Sequence, residues 1–303
     1  FRNTNWFDLL FNSSISQNHA ISFSTGTEKA SYYTSLSIMN DPGWTNKSEV
    51  KRYTANVNAL YHISKSLSLN LISNASYRKQ KAPGTLSSSV DPVSGEVKRD
   101  FDINPYSYAL NTSRTLDPDA YYVRNYAPFN ILHELNNNYI DLNVTDLKFQ
   151  GELKWKPINK TELSALGAYK TSMTTQSHTI KDYSNQAWAF RAMDDATMRQ
   201  ANPWLYTDPE NANTLPVSVL PVGGFYRETK YSMDSYDFRG TASYNDVYNE
   251  NHIFNFFGGM EVNAVNRQRT WFNGVGMQYE MGMLPAYEYQ YFKQGSEENA
   301  QYY

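Results

Sequence analysis

Long stretches of this chain alternate between small or apolar residues and polar residues at every second position. One stretch places Tyr53, Ala55, Val57, Ala59 and Tyr61 on one parity, with polar residues between most of them. Because successive side chains of a β-strand point to opposite faces, the pattern predicts strands with one apolar and one polar face. Each stretch has roughly ten residues or more, about twice the usual strand length of a globular sheet. Such long two-faced strands are typical of transmembrane β-barrels.

The alternation predicts eight strands joined by short and long connections in strict turn. The strands are expected near 19–26, 30–40, 50–62, 66–79, 140–156, 160–180, 228–246 and 252–270. The longer connections are expected at 1–18, 40–49, 80–139, 181–227 and 271–303. Outer-membrane barrels have short periplasmic turns and long extracellular loops. The predicted fold is therefore all-β, a partial transmembrane antiparallel β-barrel with long extracellular loops.

One predicted strand changes phase along its length. Leu142 and Val144 share one parity, whereas Leu147 and Phe149 share the other. An extra residue near 145–146, forming a β-bulge, would restore one continuous apolar face. The sequence therefore predicts a bulge at this position.

Tyrosines recur at a spacing that suits a membrane. Tyr53 and Tyr61 are eight residues apart, as are Tyr236 and Tyr244. At ~3.3 Å per residue the separation is roughly 26 Å along the strand, and a tilt of ~40° reduces it to roughly 20 Å, close to the ~25 Å apolar band of barrels. The alternative is that tyrosines are simply common in strands.

The parity of each strand assigns its residues to a face of the predicted barrel wall. Residues expected to face lipid are Ala55, Val57, Leu69, Phe149, Leu153, Phe238 and Ala242. Residues expected to face the lumen are Asn56, Asn58, Asn70, Asp237 and Arg239.

The composition agrees with this fold and narrows the possible partners. The mean hydropathy is −0.65, and no run approaches the ~20 apolar residues of a membrane helix. The 303 residues include 25 tyrosines and no cysteine, so disulfides and thiolate metal sites are excluded. The net charge is −3 without a basic tract, which argues against nucleic acid as a partner.

Two N-terminal segments carry a family resemblance. Residues 3–11 read NTNWFDLLF and residues 17–33 read QNHAISFSTGTEKASYY. They resemble the SusC/RagA family of TonB-linked outer-membrane transporters, which has NTDWxDxxF followed by NH and then by GGxEKxxYY. Asn5 replaces the usual aspartate of that pattern, and Thr25 replaces its first glycine. The close match covers about the first forty residues.

The resemblance implies a barrel of about 22 strands with an N-terminal plug domain and a TonB box. The eight strands predicted here would be strands two to nine, and neither the plug nor the TonB box is visible in this sequence. The family resemblance also implies TonB-dependent active import of an oligosaccharide or oligopeptide across the bacterial outer membrane. The implied partners are a SusD-like surface lipoprotein, the TonB complex and outer-membrane lipid.

The chain is expected to be an internal piece of a longer barrel. Residues 271–303 have no strand alternation and no closing aromatic strand. The first and last predicted strands would then have unpaired edges, which lipid does not tolerate. We therefore expect residues 1–303, expressed alone, to aggregate.

No catalytic, metal or cofactor site is expected. Residues 100–104 read DFDIN, like the start of a calcium loop, but Pro105 replaces the required glycine and Asn111 replaces the final glutamate. The five histidines form no pair at ligand spacing, and no serine lies in a nucleophile elbow. The acidic pairs Asp194–Asp195 and Asp208–Glu210 are interpreted as solvated loop residues. The chain is therefore predicted not to be an enzyme.

Aromatic residues on the two longest loops are the best candidates for substrate contacts. Tyr106, Tyr108, Trp188 and Trp204, together with Arg239 on the lumen face, are predicted to bind substrate. Aromatic faces suit sugar rings, and tyrosine hydroxyls and indole N–H groups add polar contacts. The alternative is that these rings pack against each other and hold the loops in place. A short helix is also expected between residues 186 and 200.

Two other functions compete with active import. A passive outer-membrane channel would have the same architecture without a plug. A soluble carbohydrate-binding or hydrolytic β-protein would have the same aromatic content without a membrane. The membrane channel would require detergent for extraction, whereas the soluble β-protein would not.

Overall fold

In a computed structural model the chain forms one eight-stranded antiparallel sheet, with its long connections gathered at one end. The structure describes residues 2–84, 89–90, 97–98, 101, 103–211, 213–249 and 252–293. The strands are β1 (Gln17–Gly26), β2 (Ala30–Asp41), β3 (Glu49–His62), β4 (Leu67–Pro83), β5 (Ser89–Val90), β6 (Val97–Lys98), β7 (Tyr122–Arg124), β8 (Ala127–Phe129), β9 (Asn138–Ile158), β10 (Thr161–Ile180), β11 (Gly224–Tyr248) and β12 (His252–Met277). The helices are α1 (Trp6–Leu10), α2 (Pro105–Asn111), α3 (Ile131–Asn137), α4 (Asn185–Ala189) and α5 (Ala196–Ala201), and Tyr279–Met281 form a 3₁₀ turn.

The main sheet has the order β1-β2-β3-β4-β9-β10-β11-β12, and every neighbouring pair is antiparallel. All eight predicted strands are confirmed. Several are longer than predicted, above all β11 and β12, which have 25 and 26 residues. The helix expected within 186–200 is two shorter helices, α4 and α5. Within the described residues β1 and β12 each have one neighbour, so the sheet is a partial barrel wall.

The predicted bulge at 145–146 is wrong. The register of β9 is unbroken from Asn138 to Trp155 against β10, and it is continuous against β4 as well. Leu142 and Val144 therefore lie on the face that is polar further along the strand. Between them Asn143 lies on the other face, where its Oδ1 accepts a hydrogen bond from the Tyr77 hydroxyl at 3.4 Å. The apolar face ends near Tyr77, and the two faces exchange polarity beyond it.

The strand register confirms that parity divides these residues correctly between two faces. All seven residues expected to face lipid lie on one face of the sheet, here called the apolar face. All five residues expected to face the lumen lie on the opposite, polar face. No other part of the described structure covers most of the apolar face; for example, Phe23 is 65% exposed and Met260 is 61% exposed. A sheet with this much bare apolar area needs a membrane or another protein against it.

Aromatic residues on the apolar face form two bands. The upper band is Tyr53, Tyr77, Tyr169 and Tyr236, and the lower band is Tyr61, Trp155, Tyr244 and Phe256. The register connects Tyr236 through β10, β9 and β4 to Val57 in β3, four residues away from Tyr53. The upper band therefore moves by four residues over four strand-to-strand steps. The lower band moves equally, because eight residues separate the two bands in both β3 and β11.

This offset measures the tilt of the strands. A shift of one residue, ~3.3 Å, for each strand spacing of ~4.8 Å keeps a band level if the strands are tilted by about 35°. Transmembrane barrels have strands tilted by ~35–45°. Between the two bands the apolar face of β3, β4, β9, β10, β11 and β12 has no charged residue. The bands and the charge-free zone thus have the geometry of a membrane-spanning wall.

The core of the molecule lies in the loops rather than in the sheet. Among the described residues, the largest fully buried side chains are Leu10, Ile131, Ile180, Leu220, Gln186, Glu134, Asn138 and Ser184, all in the loops or at the strand ends next to them. Polar residues cap the short loop helices: Asn130 Oδ1 accepts hydrogen bonds from the N–H groups of Leu132 and His133. Among these residues there is also no helix whose length and apolarity suit a membrane crossing.

Arginine scanning from 53 to 61 tests the orientation of β3. We expect arginine at Ala55, Val57 or Ala59 to reduce the yield of folded protein, because a charge near the membrane midplane costs about 2–4 kcal/mol. Arginine at Thr54, Asn56 or Asn58 should cost much less. The yield is measured as heat-modifiable, membrane-inserted protein. A flat profile without a two-residue rhythm would contradict the assignment.

Candidate functional site

The polar face of the sheet is a ladder of paired polar side chains. Asn74 Nδ2 donates to Asn56 Oδ1 at 2.8 Å, and Ser172 Oγ donates to Asp146 Oδ1 at 2.7 Å. Asn263 donates to Asp237. Arg239 is exposed on this face and lies opposite Glu261 in β12. Such a surface suits contact with water, polar cargo or another polar protein surface.

Arg239 does not join the loop aromatics predicted to act with it. It lies in the middle of β11, roughly 50 Å along the strand from the loop end at Gly224 at ~3.3 Å per residue. The four aromatic residues are divided between two parts of the loops. Trp188 and Trp204 both pack against the buried cluster that contains Phe101, whereas Tyr106 and Tyr108 lie in α2, next to the N-terminal segment. The structure therefore does not bring the predicted substrate residues into one site.

Tyr108 and Trp204 pack inside the loop cores. The Tyr108 ring meets Trp6 edge-on at 5.1 Å, and burial raises the pKa of the Tyr108 hydroxyl well above its usual range. The Trp204 ring lies 4.8 Å from Phe101 and is stacked on Phe190 at 5.6 Å. These contacts favour the packing alternative for both residues.

Tyr106 belongs to an exposed patch at the N-terminal side of the loops. The Tyr106 ring is 48% exposed and lies within 6.4 Å of Phe7, Phe11 and Trp44. We call these four residues the Tyr106 patch. Trp44 is 62% exposed, and the sequence reasoning missed it because its loop is short. The four rings come from three separate loops, so their grouping depends on tertiary contacts.

Trp188 belongs to a second exposed patch. Its ring stacks on His133 at 5.8 Å with an interplanar angle of 1°, and Tyr121 and Tyr183 approach it edge-on. We call these four residues the Trp188 patch. A hydrogen bond holds the His133 ring in place, because its Nε2 lies 2.8 Å from the carbonyl oxygen of Tyr183. Tyr121 and Tyr183 are about half exposed, so the patch offers flat aromatic area to a ligand.

A buried polar joint connects the two long loops beneath the Trp188 patch. Glu134 is 1% exposed, and its Oε1 accepts a hydrogen bond from the backbone N–H of Asn185 at 2.5 Å. The Asn185 side-chain amide donates to the carbonyl oxygens of Arg124, Ala127 and Pro128 at 2.7–3.1 Å. Burial raises the pKa of Glu134 to about 7. The folded joint therefore favours the protonated form of this carboxyl.

The acidic pairs seen in the sequence have structural partners. Asp195 caps α5 by accepting a hydrogen bond from the Met198 N–H at 2.8 Å. Asp208 forms an ion pair with Lys293 at 2.8 Å, which holds the pKa of that carboxyl below its usual range. No three His, Cys, Asp or Glu side chains of the described residues lie close enough together to hold a metal ion. The calcium-loop resemblance at 100–104 lies partly outside those residues.

Solved structures share this fold. The structure of the RagAB peptide transporter covers 94% of this chain, and the match spans 28% of the transporter chain. The sequence identity is 18% and the TM-score is 0.64. The structure of the RagAB peptide importer in the closed-closed state covers 93% of this chain. The match spans 28% of the importer chain, with 19% sequence identity and a TM-score of 0.64. The structure of the same importer in the open-open state covers 90% of this chain and 27% of the importer chain, with 18% sequence identity and a TM-score of 0.60. No protein-family model and no curated protein matches the chain. The chain thus has the fold of about 28% of a peptide-transporter chain.

Glu134→Gln tests the buried joint. Because the pKa of Glu134 is higher in the folded state than in the unfolded state, the native loops hold more protons between about pH 4.5 and 7. Loop stability should therefore fall as the pH rises through this window. Glutamine mimics the protonated acid and should remove the dependence. Hydrogen exchange of residues 121–137 and 181–190 at pH 5 and pH 8, expressed as protection factors relative to the intrinsic rate at each pH, measures the effect.

The matched control is Glu210→Gln, on the second of the two loops. The Glu210 side chain is 83% exposed, so this change should leave the pH dependence of the loop exchange intact. Equal protection factors at both pH values in the unmodified protein would contradict a titrating joint.

Proposed function

We propose that this chain forms part of the wall and the extracellular loops of an outer-membrane β-barrel that imports a nutrient oligomer. The single observation that carries the proposal is the charge-free apolar zone between two aromatic bands whose offset gives a strand tilt of about 35°. A soluble β-protein has no reason to keep such a zone exposed and level. The apolar face then meets lipid, and the polar face lines the lumen.

Active, TonB-dependent import with a SusD-like surface lipoprotein is the specific form that we propose. It rests on the resemblance of residues 3–33 to the SusC/RagA family and on the fold shared with the RagAB structures. Those structures are of a peptide transporter and a peptide importer, which favours an oligopeptide over an oligosaccharide as cargo. The TonB complex and a plug domain would act through parts of the protein outside residues 1–303.

The loops would present the cargo or lipoprotein surface. They are held by their own hydrophobic cores and by the Glu134–Asn185 joint, so their aromatic patches are fixed in position. Rigid exposed aromatic rings are the usual anchors of binding surfaces. We propose the Tyr106 and Trp188 patches as these anchors, and we assign Tyr108 and Trp204 to loop packing.

Uptake measurements separate active import from a passive channel. Cells with the full-length protein should accumulate labelled oligopeptides, and accumulation should stop when TonB is deleted or the proton-motive force is collapsed. A labelled oligosaccharide set tested in parallel decides the cargo class. Uptake that persists without TonB would support the passive channel instead. A protein that stays soluble without detergent would contradict both.

Alanine substitutions test the division between anchors and packing residues. We expect Tyr106→Ala and Trp188→Ala to weaken cargo or lipoprotein binding by about 1–3 kcal/mol at unchanged surface level, because they remove exposed contact area. Trp204→Ala and Tyr108→Ala should instead lower the surface level or make the loops protease-sensitive. Surface level, uptake and proteolysis are measured on the same cells. Normal uptake in both Tyr106→Ala and Trp188→Ala would remove the two patches from the site.

A further inference from the structure

Four polar residues lie side by side on the apolar face, one step beyond the upper aromatic band. The register pairs Asn40 with Lys51, Lys51 with Lys79, and Lys79 with Asn143, so they form one row across β2, β3, β4 and β9. Every member has side-chain N–H groups that can donate hydrogen bonds. The two lysines are direct neighbours, an arrangement that is destabilising unless a counter-charge is present.

Nearby charges neutralise this row only in part. Glu49 Oε2 lies 3.0 Å from Lys51 Nζ. Lys81 lies opposite Glu49, its ammonium is 3.9 Å from the centre of the Tyr139 ring, and Asp141 lies opposite Lys81 in β9. Lys79 is exposed and has no ion pair with any residue that the structure describes. The group therefore keeps a net positive charge centred on Lys79.

An aromatic row lies directly below the donors. It contains Ile38, Tyr53, Tyr77 and Thr145, and the two tyrosine rings are stacked at 6.3 Å with an interplanar angle of 20°. The Tyr77 hydroxyl donates to Asn143 Oδ1. The Asn143 N–H₂ group can donate a hydrogen bond to a ligand.

An apolar furrow lies below the aromatic row. The next row is Leu36, Ala55, Ala75 and Leu147, in which two small residues lie between two large ones. These residues line a cavity of about 340 Å³ that continues upward to Tyr53 and Tyr77. Its lining is almost entirely apolar, and its width is set by the two alanines. Such a furrow fits a hydrocarbon chain lying along the strands.

We propose that these three rows bind one phosphate-bearing lipid of the outer leaflet, an inference that rests on the proposed membrane location. The order of the rows is the order of a lipid: the phosphate meets Lys51 and Lys79, the interfacial region meets the tyrosines, and an acyl chain fills the furrow. A phosphate also supplies a counter-charge to Lys79, since Lys51 already has Glu49 beside it. Elsewhere on the wall the residues one step beyond the upper band are Thr171 and Asp234, and Asp234 would repel a phosphate. The site is therefore local to β2, β3, β4 and β9.

Lipid binding to the detergent-purified full-length protein tests the site. The probes are lipid A bearing phosphate, the same lipid A after dephosphorylation, and inorganic phosphate alone, with bound species counted by native mass spectrometry. The unmodified protein should bind one phosphorylated lipid at least tenfold more tightly than the dephosphorylated lipid. The double variant Lys51→Gln/Lys79→Gln should lose this preference. Ala75→Phe, which fills the furrow, should weaken binding of both lipids.

The matched control is the double variant Lys148→Gln/Lys170→Gln. These lysines are also direct neighbours, but they lie on the polar face, so the same change of charge should leave lipid binding unaltered. Equal binding of the two lipids, or full retention in Lys51→Gln/Lys79→Gln, would overturn the proposal. Inorganic phosphate binding as tightly as the lipid would overturn the lipid assignment. If the lipid site fails its test while peptide uptake is intact, only the lipid proposal is contradicted. If the protein is soluble without detergent, both the lipid site and the proposed import function are contradicted.

Discussion

The structure depends on one constraint, which is that the sheet satisfies its backbone polar groups internally while its two faces meet different surroundings. The neighbouring strands are paired in continuous register over their shared lengths, apart from shifts at strand ends near Thr161 and Gly224. Continuous pairing of this kind allows a strand to cross a region without water. The side chains are then free to be apolar on one face and polar on the other. This division leaves the sheet without a core of its own, which is why the buried residues lie in the loops.

The loop layer depends on a different balance. Its hydrophobic clusters resemble small globular cores, but the two long loops also meet through the buried carboxyl of Glu134. A buried charged carboxylate is expensive, and a protonated one is not, so the joint is most stable when the proton is retained. We therefore expect the loops around this joint to be more stable in mildly acidic than in alkaline surroundings. The two aromatic patches therefore rest on supports that differ in their response to pH, since the contacts within the Tyr106 patch include no titrating carboxyl.

Parity alone was enough to predict the eight strands, because a period of two persists wherever one face is apolar. It failed at Leu142 and Val144, where the strand continues beyond the apolar zone and the faces exchange polarity, so the change of phase was misinterpreted as a bulge. The aromatic clusters were out of reach for a different reason. Tyr108 meets Trp6 from more than a hundred positions away in the chain, and no local pattern encodes that contact. The lysine row likewise appears only when the register places Lys51 beside Lys79.

Like-charged residues lie opposite each other on both faces of the sheet, but their surroundings differ. On the polar face Arg52 lies opposite Arg78, and Lys148 lies opposite Lys170. There Asp146 of β9 lies on the same face, diagonally across from both Arg78 and Lys170. The lumen of a barrel is also wet, so the repulsion is screened. On the apolar face the Lys51–Lys79 pair borders a zone without charge and with little water. Screening is weakest at such a boundary, and a fixed anion gains most there. The same pairing of residues is thus tolerable on a wet surface on one face and forms the proposed anion site on the other.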